Sequence, residues 1–116
     1  ARNVAVAGRG VERVLWEPFV YARDVGGARE TLIHLVNLPQ SDYIIQRHEL
    51  PSVKRDLTVT IAVPDGQHVT ACHLLVPDPE PHAEAIEFAP DGDGHVTCRI
   101  PELRQIGSIV VRCAAD

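Results

Sequence analysis

Apolar residues recur at every second position of this chain in short runs separated by Gly, Pro and Asp, the pattern of half-buried strands rather than helices. The cleanest run is Leu57-Thr58-Val59-Thr60-Ile61-Ala62-Val63, which puts Leu57, Val59, Ile61 and Val63 on one face and the threonines on the other. Residues 68–76, 95–100 and 108–113 repeat the unit. Residues 31–38 follow a Gly26-Gly27 turn and differ in kind, because Leu32, Val36 and Leu38 alternate with Ile33 and Leu35, so both phases are apolar. Such a strand either docks its second face on a neighbouring domain or subunit, or has it covered by residues 1–15 or by the 39–56 loop.

Turn chemistry orders these strands. Residues 19–22 and 32–35 flank Asp24-Val25-Gly26-Gly27-Ala28 and predict a first hairpin. Pro64-Asp65-Gly66-Gln67 predicts a second hairpin between residues 57–63 and 69–76, and Pro90-Asp91-Gly92-Asp93-Gly94 a third between 85–88 and 95–100. Residues 39–56 read as a long loop with an edge strand at Tyr43-Ile44-Ile45-Gln46, and Glu102-Leu103-Arg104-Gln105 allows one helical turn at most. The sum is an all-β fold, an immunoglobulin-like antiparallel β-sandwich of seven or eight strands. Residues 1–15 are a linker or an extra edge strand, and 16–116 form a single sandwich domain. The predicted inward set is Ile33, Leu35, Leu57, Val59, Ile61, Cys72, Leu74, Val76, Val96, Cys98, Ile100, Ile109, Val111 and Cys113.

Composition narrows the functional classes. The 116 residues fill one domain, and 45% hydrophobic against 23% charged residues marks a globular chain. A net charge of −5 leaves no basic stripe for phosphates, which argues against nucleic acid as a partner. No apolar run reaches the roughly 18 to 20 residues that span a bilayer, and no signal-peptide core opens the sequence, so no membrane partner is expected. With no initiator Met and no Met anywhere, the chain is expected to be a processed form or, in preference, an excised fragment. Cys72, Cys98 and Cys113 are odd in number and lack a Cys-x-x-Cys pair. Free thiols in a reducing cytoplasm are the simplest reading, with one bridge plus a spare thiol left open.

Candidate chemistry is thin. Of six histidines, His68 and His73 are five apart on one strand and so should point to opposite faces, which leaves no metal pair. His34 sits mid-strand among apolar neighbours and is expected to be a satisfied buried imidazole rather than a metal ligand. Asp91-Gly92-Asp93-Gly94 resembles the start of a calcium loop, but Val96 stands where that loop needs Gly, so a hairpin turn is predicted. Ser41 and Ser108 lack a nucleophile elbow, and the strand phase buries all three thiols. No catalytic residue, metal site or cofactor is therefore assigned. Trp16, Tyr21 and Tyr43 are the aromatic rings that could meet a sugar face.

The runs Glu30-Thr31-Leu32-Ile33-His34-Leu35-Val36-Asn37-Leu38, Leu57-Thr58-Val59-Thr60-Ile61 and Leu74-Leu75-Val76-Pro77-Asp78, with Pro101-Glu102-Leu103 and Ile109-Val110-Val111, have a family likeness. Their order resembles the C-terminal β-sandwich domain of bacterial multidomain glycoside hydrolases, dextranase-like and β-galactosidase-like, over about residues 29–113. The resemblance implies a non-catalytic accessory domain packed on a (β/α)8 catalytic barrel of the parent chain, or on a second subunit. It implies interdomain docking through Leu32, His34, Val36 and Asn37, with the Asn37 amide holding loop backbone. The alternative is a stand-alone carbohydrate-binding sandwich.

Overall fold

The computed structural model describes residues 4–38, 53–77 and 80–115. Ten strands follow in chain order: β1 (Val4–Ala7), β2 (Val14–Leu15), β3 (Val20–Val25), β4 (Ala28–Asn37), β5 (Lys54–Ala62), β6 (Gln67–Val76), β7 (His82–Ala85), β8 (Phe88–Pro90), β9 (His95–Leu103) and β10 (Ile106–Ala115). They form a four-stranded sheet, β1-β5-β9-β8, and a six-stranded sheet, β2-β4-β10-β6-β7, in which β3 also pairs with β4. Every pairing is antiparallel. The fold is the all-β sandwich that the alternating pattern predicts.

Among the described residues ten strands stand where seven or eight were expected, because two extended runs are broken. β2 and β3 lie on the same side of β4, with Leu15 opposite Val36 and Val20 opposite Ile33. Between them the chain leaves the ladder in a 3-10 turn at Glu17–Phe19. Pro18 has no N–H to give a ladder, and this is where the break falls. The second broken run is β7 and β8: β7 pairs with β6 in one sheet, and β8 pairs with β9 in the other. Ile86, between them, turns its side chain into the core as the chain changes layers.

The first predicted hairpin is present. Val25 faces Ala28 across Gly26-Gly27, whose φ values of 58° and 82° are both positive, as the turn that suits the strand twist requires. The second predicted hairpin is not: β5 and β6 belong to different sheets, and the Pro64-Asp65-Gly66 turn carries the chain from one layer to the other. Alternation states which face of a strand is buried, not which sheet the strand joins. The third hairpin forms between β8 and β9, with Pro90 opposite Val96, but Ala85 belongs to β7 in the other sheet. Glu102 and Leu103 extend β9 instead of turning as helix, and β5 begins at Lys54, earlier than predicted. The edge strand predicted at 43–46 lies outside the described residues.

Every member of the predicted inward set is buried except Val76, which is partly buried against the core. Val4, Val14, Ile86 and Leu103 complete the core. One irregularity changes the faces of β6. The β6–β10 register runs Ala71 opposite Arg112 and then Val69 opposite Cys113, leaving Thr70 as an extra residue. This bulge reverses the phase, so Val69 packs on the core and His68 faces outward, as His73 does. The expectation that these histidines point to opposite faces is thereby corrected. They still stand roughly 13 Å apart along the sheet, too far to share an ion.

Candidate functional site

The two sheets expose outer faces of opposite character. On the four-stranded sheet the outward positions of β5 and β9 include Thr58, Thr60, Ala62, His95, Thr97 and Arg99. Thr60 Oγ1 and Thr97 Oγ1 lie 3.4 Å apart, and Arg99 pairs with Asp56 and Glu87. That face is built for water.

The outer face of the six-stranded sheet is apolar. In antiparallel register opposed residues stand side by side on one face, which orders this surface into rows. Val36 lies between Leu15 and Ile106, and Leu32 between Tyr21 and Val110, with His73 beyond Val110. Ser108 lies between His34 and Leu75. Six large apolar side chains are exposed among the described residues, and four of them, Leu15 (40%), Tyr21 (53%), Leu75 (39%) and Ile106 (47%), share this face. At one end, Glu30 accepts hydrogen bonds from Arg23 (2.8 and 3.0 Å) and Arg112 (2.9 Å). These bonds, Arg112 foremost, hold its carboxyl below the ordinary range.

His34 lies at the centre. Its Nδ1 is 2.7 Å from Ser108 Oγ, and its ring meets those of Tyr21 and Phe19 edge-on, at centroid distances of 5.8 and 6.4 Å. Sequence reasoning missed this Ser–His contact, since Ser108 was weighed only against a nucleophile motif; the cross-strand register creates it. Nucleophilic catalysis needs preorganised donors aimed at a developing oxyanion. Here β10 is paired on both sides, with β4 and β6, so the ladders engage the backbone N–H groups around Ser108. The contact satisfies and orients the imidazole.

Of the residues that the resemblance assigned to docking, Leu32, His34 and Val36 lie on this outer face, half-buried. Asn37 does not: it is buried on the opposite phase with Ile33 and Leu35. Its Nδ2 donates to the carbonyls of Leu103 (3.3 Å) and Arg104 (2.8 Å), so the amide does hold loop backbone. Its Oδ1 accepts from Lys54 Nζ at 2.9 Å, and the Lys54 side chain runs so close to Gly10 that a Cβ there would meet Cε at 2.8 Å. Of the sugar-contact candidates, Trp16 packs against the core, Tyr21 stands on the outer face, and Tyr43 lies outside the described residues.

Elsewhere the chemistry is structural. Asp91 Oδ1 accepts from the backbone N–H of Asp93 (2.8 Å) and His95 (3.2 Å), closing the β8–β9 turn. The Asp93 bond leads in lowering the Asp91 carboxyl. Among the described residues no three His, Cys, Asp or Glu side chains cluster to hold a metal. Nor is any helix there long and apolar enough to cross a membrane. The open clefts among the described residues include the following two. One, of about 320 Å³, lies beside Leu74, His82, Glu84 and Glu102, and there Glu102 is engaged by Arg55 (3.3 Å) and Arg104 (3.4 Å). The other, of about 300 Å³, is lined mostly by apolar groups such as Val69, Phe88 and Val96.

The three thiols are buried. Cys72 Sγ on β6 donates to Cys98 Sγ on β9 across the core at 3.0 Å. That bond and burial push Cys72 well above the ordinary thiol range, while Cys98, accepting it, is drawn the other way against the same burial. Burial raises Cys113.

No protein-family model and no curated protein matches the chain. Solved structures do. A cycloisomaltooligosaccharide glucanotransferase from Paenibacillus sp., crystallised with cycloisomaltoheptaose, superposes over 93% of this chain and 18% of its own, with TM-score 0.55 and 14% identity. Alpha-L-fucosidase isoenzyme 2 from Paenibacillus thiaminolyticus does so over 98% of this chain and 15% of its own, with TM-score 0.57 and 18% identity. At such identities the likeness is one of fold. The chain spans less than a fifth of the length of each of these two proteins.

Proposed function

We propose that this chain is a non-catalytic, C-terminal accessory domain of a bacterial glycoside hydrolase, and that it packs on the enzyme's (β/α)8 catalytic domain through the outer face of its six-stranded sheet. The apolar rows Leu15–Val36–Ile106 and Tyr21–Leu32–Val110, with Leu75 alongside, carry this reading. Exposed apolar patches of this kind, bordered by charged groups, mark interaction surfaces. The Arg23–Glu30–Arg112 ladder borders one end of this patch. The superpositions on small parts of two larger carbohydrate-active enzymes support the same setting.

Hydroxyl-radical footprinting of the whole enzyme and of this domain alone tests the proposal. Tyr21, Leu75 and Ile106 should label readily in the isolated domain and be protected in the whole enzyme; equal labelling would refute the docking. Protection that appears only as the isolated domain is concentrated would assign the face to a second subunit. Nitrophenyl glycosides should pass through the isolated domain unhydrolysed, and turnover would end the non-catalytic part of the proposal.

One observation favours a second reading as a carbohydrate-binding module: the Tyr21 ring is half exposed on the same face, where it can stack on a sugar. Binding on a glycan array that disappears with Tyr21→Ala would select it.

A further inference from the structure

We propose that Cys72 and Cys98 are a site of covalent cross-linking: under oxidising conditions they join as a disulfide that staples the two sheets, while Cys113 remains a thiol. Cys72 lies in the six-stranded sheet and Cys98 in the four-stranded sheet, and their sulfurs already touch across the core at 3.0 Å. Bond formation asks them to close by about 1 Å, to the S–S length near 2.05 Å. Side-chain rotation can supply that, because both strands are held from either side, β6 by β10 and β7, and β9 by β5 and β8. Cys113 stands one row further along the sheet, beside Val69, whereas Cys72 is in register with Val111. The register therefore selects the pair.

The step balances with a low-molecular-weight disulfide such as oxidised glutathione as the oxidant. One protein thiolate attacks it and forms a mixed disulfide, releasing one small thiol. The second protein thiolate then displaces the other. The two cysteines lose two protons and two electrons in all, and the small disulfide is reduced to two thiols. Both side chains are sealed from solvent in the folded protein, at 2% and 0% exposure. Exchange therefore proceeds while the chain folds or opens, and the bond, once closed, is shielded from reductant. The cysteines are 26 positions apart. A loop of that size restricts the unfolded chain enough to raise the melting temperature by about 10 °C or more.

The test is to refold the chain from denaturant in mixed oxidised and reduced glutathione, block free thiols with iodoacetamide under denaturing conditions, and map the peptides. The expected result is a Cys72–Cys98 linked peptide, a mass lower by two hydrogens before blocking, one alkylated cysteine at Cys113, and a raised melting temperature that reductant plus denaturant reverses. Cys113→Ala should keep both the bridge and the thermal shift. Cys98→Ala should lose both and leave Cys72 alkylated; if that variant does not fold, the wild-type peptide map still decides. Alkylation of both Cys72 and Cys98 after oxidative refolding, or a bridge that includes Cys113, would overturn the proposal.

Discussion

The outer faces of the two sheets are made from the same backbone geometry and differ almost entirely in their side chains. The four-stranded sheet presents Thr58, Thr60, Thr97 and a paired Arg99, whereas the six-stranded sheet presents Leu15, Tyr21, Leu32, Val36, Leu75, Ile106 and Val110. A sandwich needs one greasy face per sheet. The four-stranded sheet has one; the six-stranded sheet has two. Hydrophobicity beyond what the core can use is the physical content of the docking proposal, and β4 shows it within ten residues. Its odd-numbered side chains Ile33 and Leu35 are fully buried, while Leu32, His34 and Val36 wait half-covered on the other side.

That contrast can be broken deliberately. The largest effect belongs to the inner phase: Leu35→Ala should cost about 2 to 5 kcal/mol, read as a lower denaturation midpoint, because it opens a cavity in a closed core. Next is Asn37→Ala on the same phase, which removes buried hydrogen bonds to the Leu103 and Arg104 carbonyls and one from the Lys54 ammonium. It should cost about 1 to 3 kcal/mol in the same assay. On the outer phase the paired change Leu75→Lys with Ile106→Lys should alter the isolated domain's stability by less than about 0.5 kcal/mol. The same pair should abolish docking in the whole enzyme, seen as lost protection in footprinting. A destabilisation comparable to that of Leu35→Ala would mean that the face belongs to this domain's own core.

The smallest effect lies at the rim. Glu30 is held below its ordinary value of 4.5, so its ion pairs favour the folded state above that value, and this contribution fades as pH falls through the lower folded value. Glu30→Gln should therefore lower the neutral plateau of a melting-temperature profile slightly, flatten its acid limb, and leave the most acidic end, where Glu30 is already protonated, nearly unchanged. The group is exposed and screened, so the slope should be shallow.

Most of the inner face was legible in the sequence, since period-two alternation is a direct record of burial: of the predicted set only Val76 falls short, while Val4, Val14, Ile86 and Leu103, at strand ends or between strands, were missed. The sequence was poor at partnership. Leu57–Val63 and the strand after Pro64 look like a hairpin because a turn joins them, yet the turn spans two layers; nothing local in Pro64-Asp65-Gly66 distinguishes the two outcomes. Thr70 was equally silent, and the phase reversal there put His68 on the side of His73. For the candidate site, the doubled hydrophobicity of β4 pointed to Leu32, His34 and Val36. Asn37 was misplaced because a strand end seemed the same as a surface. The contributions of Phe19, Ser108, Leu75 and Ile106 come from strands far away in sequence and needed the register to be seen.

The interruption at Pro18 has a consequence for how such molecules meet. An unbroken β2–β3 run would offer a neighbour a long row of free amides and carbonyls, the template on which chains stack into fibrils. The 3-10 turn at Glu17–Phe19 cuts that template into pieces of two and six residues. At the opposite margin β7 departs for the other layer after four residues. Runaway lateral growth is thereby discouraged at both margins, which steers encounters with other protein surfaces toward the broad flat side of the sheet.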